Sequence, residues 1–118
     1  MKQSEALEFC KSWLAAWTGN QPNTLIQYYA DDTYYQDPAK PEGIHGKENL
    51  LHYFHKLLPK YPDWVWSPVE IFPSELGFIL KWEARIKSKV FTGLDIVEIN
   101  DNKITRNEVY FDTRQIDR

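Results

Sequence analysis

The sequence has one cysteine, five glycines, three histidines and no excess of positive charge. Each shortage excludes something. A single thiol, Cys10, cannot close an internal disulfide, which fits a reducing compartment. Few glycines and no Gly-rich loop exclude a phosphate cradle, and there is no nucleophile elbow. A formal net charge of -3, with acids and bases interspersed, argues against a nucleic-acid partner. No apolar run is long enough to span a bilayer, and the opening "MKQSEALEF" has no apolar leader, so no membrane partner and a cytoplasmic location are expected.

Aromatic residues are what the chain has in quantity. They make up 15% of its 118 residues, with five tryptophans and seven tyrosines. Rings in that number can wall a cavity as well as fill a core. The length suits one domain over 1–118, without a linker or an internal repeat.

The first half reads as helical. Ser4 is placed to cap a helix whose positive end suits Glu5 and Glu8. Leu7, Cys10, Leu14 and Trp17 form its apolar stripe, widened by Ala6, Phe9 and Trp13, and Gly19 stops it. Asn23 is expected to cap a short second helix. A loop from Asp31 to Gly46 holds a short strand at 33–36. A third helix runs over about 47–58, burying Leu50, Leu51, Phe54, Leu57 and Leu58, and Pro59 ends it.

The second half reads as strands. "WVWSPVEIF" carries Pro68, which signals an edge or a bulge. "GFILKWEARIK" alternates, with Phe78, Leu80, Trp82, Ala84 and Ile86 on one side. "VFTGLDIVEI" and "KITRNEVYFD" follow. Two-residue turns at Ser88–Lys89 and Asp101–Asn102 would pair Trp82 with Asp95 and Asp95 with Glu108. That register puts Asp95, Arg106, Glu108 and Tyr110 on the face the helices cover. The other face, with Ile79, Val90, Thr92, Leu94, Ile96, Val109 and Phe111, is apolar enough to suggest a homodimer packed sheet against sheet.

Asp95 is the leading chemical candidate. A carboxylate sheltered by helices loses solvation and its pKa rises, which suits a general acid; Glu108 would push it further and Arg106 would oppose. The plain alternative is an Asp95–Arg106 ion pair. Asp37 sits in "YYQDPAKPEG", behind Tyr34 and Tyr35, and is either an Asp-Pro turn or an acid at a pocket mouth. His45, on the same loop, is a possible proton carrier. His52 and His55 are spaced as metal ligands can be, but no third ligand accompanies them, so no metal site is assigned.

The order helix, short helix, "YYADDTYYQDP", "GIHGKENLLHYF" and a curved sheet with "GLDIVEINDNKI" resembles the NTF2-like superfamily, and within it the SnoaL-like group of polyketide cyclase and ketosteroid isomerase-like proteins. The resemblance covers nearly the whole chain and speaks to fold far more than to function. It implies an α+β, cone-shaped (cystatin-like) fold, with three helices on a strongly bent, mainly antiparallel sheet around an apolar pocket. It also implies that Asp37 matches a proton-shuttling loop aspartate and Asp95 a strand aspartate that donates to an oxyanion. Trp13 stands where the steroid isomerases carry a tyrosine, a departure that argues against steroid isomerase activity. Asp95 and Arg106 are possible members of an epoxide hydrolase-like arrangement. Trp13, Trp17, Phe54, Trp82 and Tyr110 are expected lining.

The function these features imply is cofactor-free acid-base catalysis, an isomerisation or aldol-type ring closure, on a small apolar carbonyl compound. A non-catalytic apolar ligand-binding protein and a dimerisation module are the alternatives.

Overall fold

The computed structural model describes residues 1–115. Helix α1 (Gln3–Thr18) leads into a one-turn helix α2 (Pro22–Leu25), strand β1 (Tyr29–Asp37), strand β2 (Lys40–His45) and helix α3 (Lys47–Leu57). Four strands follow: β3 (Val65–Pro73), β4 (Gly77–Ile86), β5 (Lys89–Asn100) and β6 (Lys103–Tyr110). The sheet is mixed, in the order β2-β1-β6-β5-β4-β3, with β1 and β6 parallel and the other pairs antiparallel.

Local chemistry accounts for most boundaries, and in places differs from the sequence expectation. α1 begins earlier than Ser4; Glu5 Oε1 accepts a hydrogen bond from the Lys2 backbone N–H at 3.0 Å. The left-handed residue after it is Asn20, at φ 53°, while Gly19 keeps a helical φ of -76°. α2 starts on Pro22, whose missing N–H costs nothing at a first helical position, so Asn23 lies inside it. Residues expected to form a loop make the full strand β1 and the edge strand β2, because β6 supplies β1 with a partner that local sequence does not reveal.

Pro68 stands on the other edge strand, next to a bulge at Val69. Two further irregularities matter more. The β4–β5 turn is Lys87–Ser88, with Lys87 at φ 54°, so Trp82 pairs with Gly93 and Leu80 with Asp95. This corrects the expected register by two residues and leaves every side chain on its expected face. The β5–β6 turn is at Asp101–Asn102, both at positive φ, and Asn100 pairs with Lys103 as expected. Beyond it, however, Thr105 bulges out: Ile99 pairs with Ile104, but Glu98 pairs with Arg106. One extra residue reverses the facing of the rest of β6. Asn107 and Val109 turn inward, and Arg106, Glu108 and Tyr110 turn outward.

α1 lies on β3, and α3 lies on β1. The core between helices and sheet holds Ala6, Cys10, Trp13, Leu50, Phe54, Phe78, Leu80 and Val97, all essentially without exposure. Between this core and the free end of the sheet the layers stay apart, leaving a cavity of about 400 Å³.

Candidate functional site

The cavity is walled by rings. Trp17 from α1, Tyr61 and Trp64 from the α3–β3 connection, Trp66 from β3, Trp82 from β4 and Phe91 from β5 all line it. They touch in sequence: Trp17 and Trp66 have centroids 5.9 Å apart, Trp66 and Trp64 5.6 Å, Trp64 and Tyr61 4.7 Å. Trp64 stacks on Phe91 at 5.1 Å and 10°. Two carboxylates, Asp37 and Asp95, face the same space.

Asp95 is 5% exposed. Its Oδ1 accepts from Trp82 Nε1 at 2.7 Å and its Oδ2 from Asn107 Nδ2 at 3.0 Å. Asn107 Oδ1 accepts from the Tyr29 hydroxyl at 2.8 Å, and that hydroxyl accepts from Trp13 Nε1 at 3.3 Å. In this direction each link of the buried chain Trp13–Tyr29–Asn107–Asp95 pairs one donor with one acceptor. Burial raises the Asp95 pKa from 3.8 to about 7; the bonds from Asn107 and Trp82 pull it down, and the charge of Asp37 adds to the rise. The Trp82 N–H and the Asn107 NH2, the two groups that face Asp95, give hydrogens and accept none. A proton on Asp95 therefore occupies a lone pair that they leave free.

Asp37 is held differently. Its Oδ1 accepts from the backbone N–H groups of Ala39 and Lys40, at 2.9 and 3.0 Å, closing the β1–β2 turn. Its Oδ2 accepts from the hydroxyls of Tyr35 and Tyr53, at 2.8 and 2.6 Å. The Asp-Pro turn and the acid at the pocket are thus the same residue. Four donors already occupy it, so proton abstraction by Asp37 would have to displace one of them. Burial and the charge of Asp37 together push both phenols well above the ordinary tyrosine range.

Of the residues singled out in the sequence, Asp37, Asp95, Trp17 and Trp82 line the cavity. Trp13 and Phe54 are wholly buried behind it: Trp13 donates to Tyr29, and Phe54 packs under Trp17, Tyr29 and Tyr35. Arg106, Glu108 and Tyr110 lie on the opposite side of the sheet, where the bulge puts them. Arg106 bonds Glu108 at 2.5 Å and Glu98 at 2.8 Å, and Tyr110 donates to Glu108 at 2.6 Å. Glu108 is accordingly held below its ordinary range, first by Arg106, and neither residue touches Asp95. The expected Asp95–Glu108 and Asp95–Arg106 contacts are replaced by Asn107.

Tyr34 shares that outer face, where its hydroxyl donates to Gln36 and its ring covers Gly43, leaving no room for a Cβ there. His45 is exposed and packs beside Tyr34 at 5.0 Å, away from the cavity. Conversely, Val109 and Phe111, expected outside, line the cavity. Asn107, Tyr53, Tyr61, Trp64 and Trp66 went unassigned in the sequence. Helical spacing places Tyr53 beside Phe54, but only the β1–β2 turn brings it to Asp37. Cys10 is core, its thiol pushed up to about 12 by burial and then by Asp95. His55 Nε2 shares a hydrogen bond with Asn23 Oδ1 at 3.0 Å. Among the described residues no group of three or more His, Cys, Asp or Glu side chains is arranged to hold a metal, and no helix is long and apolar enough to cross a membrane.

Comparison with solved structures places the fold. A SnoaL-like protein of unknown function from Burkholderia thailandensis superposes with a TM-score of 0.82 at 18% identity, over 95% of this chain and 98% of that one. A hypothetical protein with a ketosteroid isomerase-like fold from Catenulispora acidiphila, solved in complex with trimethylamine, gives 0.74 at 20% identity, over 88% and 85%. A putative ketosteroid isomerase from Kribbella flavida gives 0.73 at 15% identity, over 92% and 78%. A search of curated proteins finds no match. The profile of the SnoaL-like domain matches residues 10–107, and the chain belongs to that family, with an NTF2-like fold.

Proposed function

We propose that this chain is a cofactor-free acid-base enzyme that moves a proton on a small, largely apolar carbonyl compound, by isomerisation or aldol-type ring closure. One observation supports this above the others. Asp95 is a buried carboxyl with a pKa near 7, steadied by two pure donors, facing a ring-lined cavity. A group that titrates near the working pH is the most effective proton carrier. Trp82 and Asn107 hold its plane without taking its proton.

In this reading Asp95, as the carboxylate, takes the proton from the carbon next to the carbonyl. The C–H electron pair moves into the carbonyl to form an enolate. The protonated Asp95 then returns the proton to another carbon of the conjugated system, or the enolate carbon attacks a second carbonyl and the alkoxide so formed takes the proton from Asp95. Asp37, held by four donors, anchors Tyr35 and Tyr53, and its charge adds to the rise of the Asp95 pKa.

The test is exchange. Small cyclic and aryl ketones incubated with the protein in D2O should gain deuterium next to the carbonyl, followed by NMR. Asp95→Asn should lower the rate on the order of a hundredfold or more. Asp37→Asn should cost stability more than rate. Exchange that survives Asp95→Asn unchanged would sink the assignment.

A binding-only role is the second reading, favoured by how fully Asp37 is occupied. It predicts ligand affinity without exchange. A sheet-to-sheet homodimer is a separate proposal, resting on Ile79, Val90 and Leu94, which stand 38%, 43% and 43% exposed on the outer face. Sedimentation of Leu94→Lys against the parent chain tests it.

A further inference from the structure

The cavity's composition says more about its guest than its size does. Four of the chain's five tryptophans line it, and the fifth, Trp13, feeds the hydrogen-bond chain that ends on Asp95. Leucine or valine would shelter a neutral hydrocarbon as well. Indole faces add something aliphatic chains lack, a negative quadrupole that attracts cations lying over the ring. Both charged side chains of the lining are acids, and no lysine, arginine or histidine is among the described lining residues. Lys40 stays at the rim, its Nζ 5.7 Å from the outer Tyr53 ring. The donors nearest the carboxylates are also committed: Tyr35 and Tyr53 to Asp37, Trp82 to Asp95. What the cavity offers a guest is π faces and acceptor lone pairs. An anion would meet two carboxylates.

We infer that the guest is an organic cation, a small alkylammonium group on an apolar frame, seated between the Trp17–Trp66–Trp64 wall and the Asp95 carboxylate. The inference deepens the functional reading above, since it rests on the same cavity being a small-molecule site: the carbonyl compound carries the ammonium group. A cation beside Asp95 also holds it as the carboxylate, the form that abstracts a proton.

Benzyltrimethylammonium and its neutral carbon isostere, neopentylbenzene, make the test. They match in shape, and the quaternary nitrogen has no proton to gain or lose. Titrations of the full chain, read by tryptophan fluorescence and calorimetry, should show the cation binding about tenfold or more tightly at pH 8. The advantage should shrink at pH 5.5, where Asp95 takes up a proton. Of the other titratable groups around Asp95, Cys10 is pushed up to about 12, and Tyr29, Tyr35 and Tyr53 lie above the ordinary tyrosine range, so none of these four changes over that interval. Asp37, held by four donors, also faces the cavity, and Lys40 lies near the Tyr53 ring.

Asp95→Asn should remove most of the cation's advantage and its pH dependence. Trp64→Leu should reduce the advantage while leaving neopentylbenzene less affected. The wild-type pH comparison needs no variant to fold. Equal or tighter binding of the isostere at pH 8, or a cation advantage untouched by pH and by both substitutions, overturns the inference. The two claims separate cleanly. Asp95-dependent ketone exchange without cation preference removes the ligand class alone. Cation preference without exchange in any ketone removes the catalysis and leaves the site.

Discussion

Asn107 Nδ2 donates to Asp95 Oδ2 at 3.0 Å, and its own carbonyl accepts from the Tyr29 hydroxyl at 2.8 Å. The amide is thereby used at both ends inside a wholly buried position. It lowers the Asp95 pKa against the rise caused by burial. Asn107→Leu keeps the volume and removes both bonds. Asp95 should then titrate above 7, by about one unit or more, since hydrogen bonds to charged groups contribute roughly 1.5–3 kcal/mol. The orphaned Tyr29 hydroxyl should cost a further ~1–3 kcal/mol of stability, read by urea unfolding. Tyr29→Phe frees the amide oxygen and the Trp13 N–H but keeps the Asp95 bond, so it should move the pKa much less. Carboxyl-carbon NMR titration distinguishes them; an Asp95 pKa unmoved by Asn107→Leu contradicts the arrangement.

The raised pKa also sets a pH dependence of folding. Between 3.8 and about 7 the folded chain holds a proton on Asp95 that the unfolded chain has released. Stability falls with pH wherever the folded state binds more protons. Asp95 therefore imposes no titration penalty below pH 4, a growing one from 4 to 7, and a constant one above. The difference of about three units corresponds to on the order of 4 kcal/mol, for a carboxyl that is 5% exposed. Asp95→Asn cannot titrate. Its stability relative to the parent should climb by several kcal/mol from pH 4 to pH 7.5 and then level off, measured by unfolding at each pH. A flat difference across that window would mean that Asp95 ionises normally.

Gly93 faces inward on β5, directly under the Trp82 indole, and an added Cβ would fall inside the ring. The missing side chain is what lets the indole lie flat enough to reach Asp95 Oδ1 from two residues away along the ladder. Gly93→Ala should tilt Trp82, weaken its 2.7 Å bond to Asp95 and raise the carboxyl's pKa, while the backbone, already extended, tolerates alanine. Trp82 fluorescence and the Asp95 titration should shift together. A shift in the first without the second would mean the indole bond contributes little to the anion.

How much of this could be read beforehand follows from the range of each interaction. Helices α1 and α3 and strands β3 to β6 are written in local period, and the Asp101–Asn102 turn in residues that accept positive φ. The alternation of β5 puts Asp95 on the sheltered face even with the partner strand two residues out, because a two-residue slip preserves facing. Residues 31–46 read locally as a loop holding a short strand at 33–36, since a strand paired in parallel with the last described strand has no local sign of its partner. Glu108 and Arg106 were put beside Asp95 for a sharper reason. Alternation is the only facing signal that β6 offers, and "TRNEVY" alternates equally well in either phase. A bulge at Thr105 selects the phase, and the apolar Val109 on the inner side was the hint available.

Thr105 gives that reading a direct test. Its hydroxyl donates to the Glu98 carbonyl at 3.3 Å, and its backbone is the extra residue that lets Ile104 and Asn107 both face the core. Deleting Thr105 removes the extra residue and keeps every pair around it: Ile99 with Ile104, Glu98 with Arg106 and Val97 with Asn107. Arg106 and Glu108 should therefore stay on the outer face, and Asn107 and Val109 on the inner one. Thr105→Ala keeps the bulge and loses a hydrogen bond to a backbone carbonyl, about 0.5–1.5 kcal/mol. Both variants should fold with Asp95 still titrating near 7, read by thermal unfolding and carboxyl-carbon NMR. A deletion whose Asp95 no longer titrates there would show that Thr105 is not the residue that stands outside the ladder.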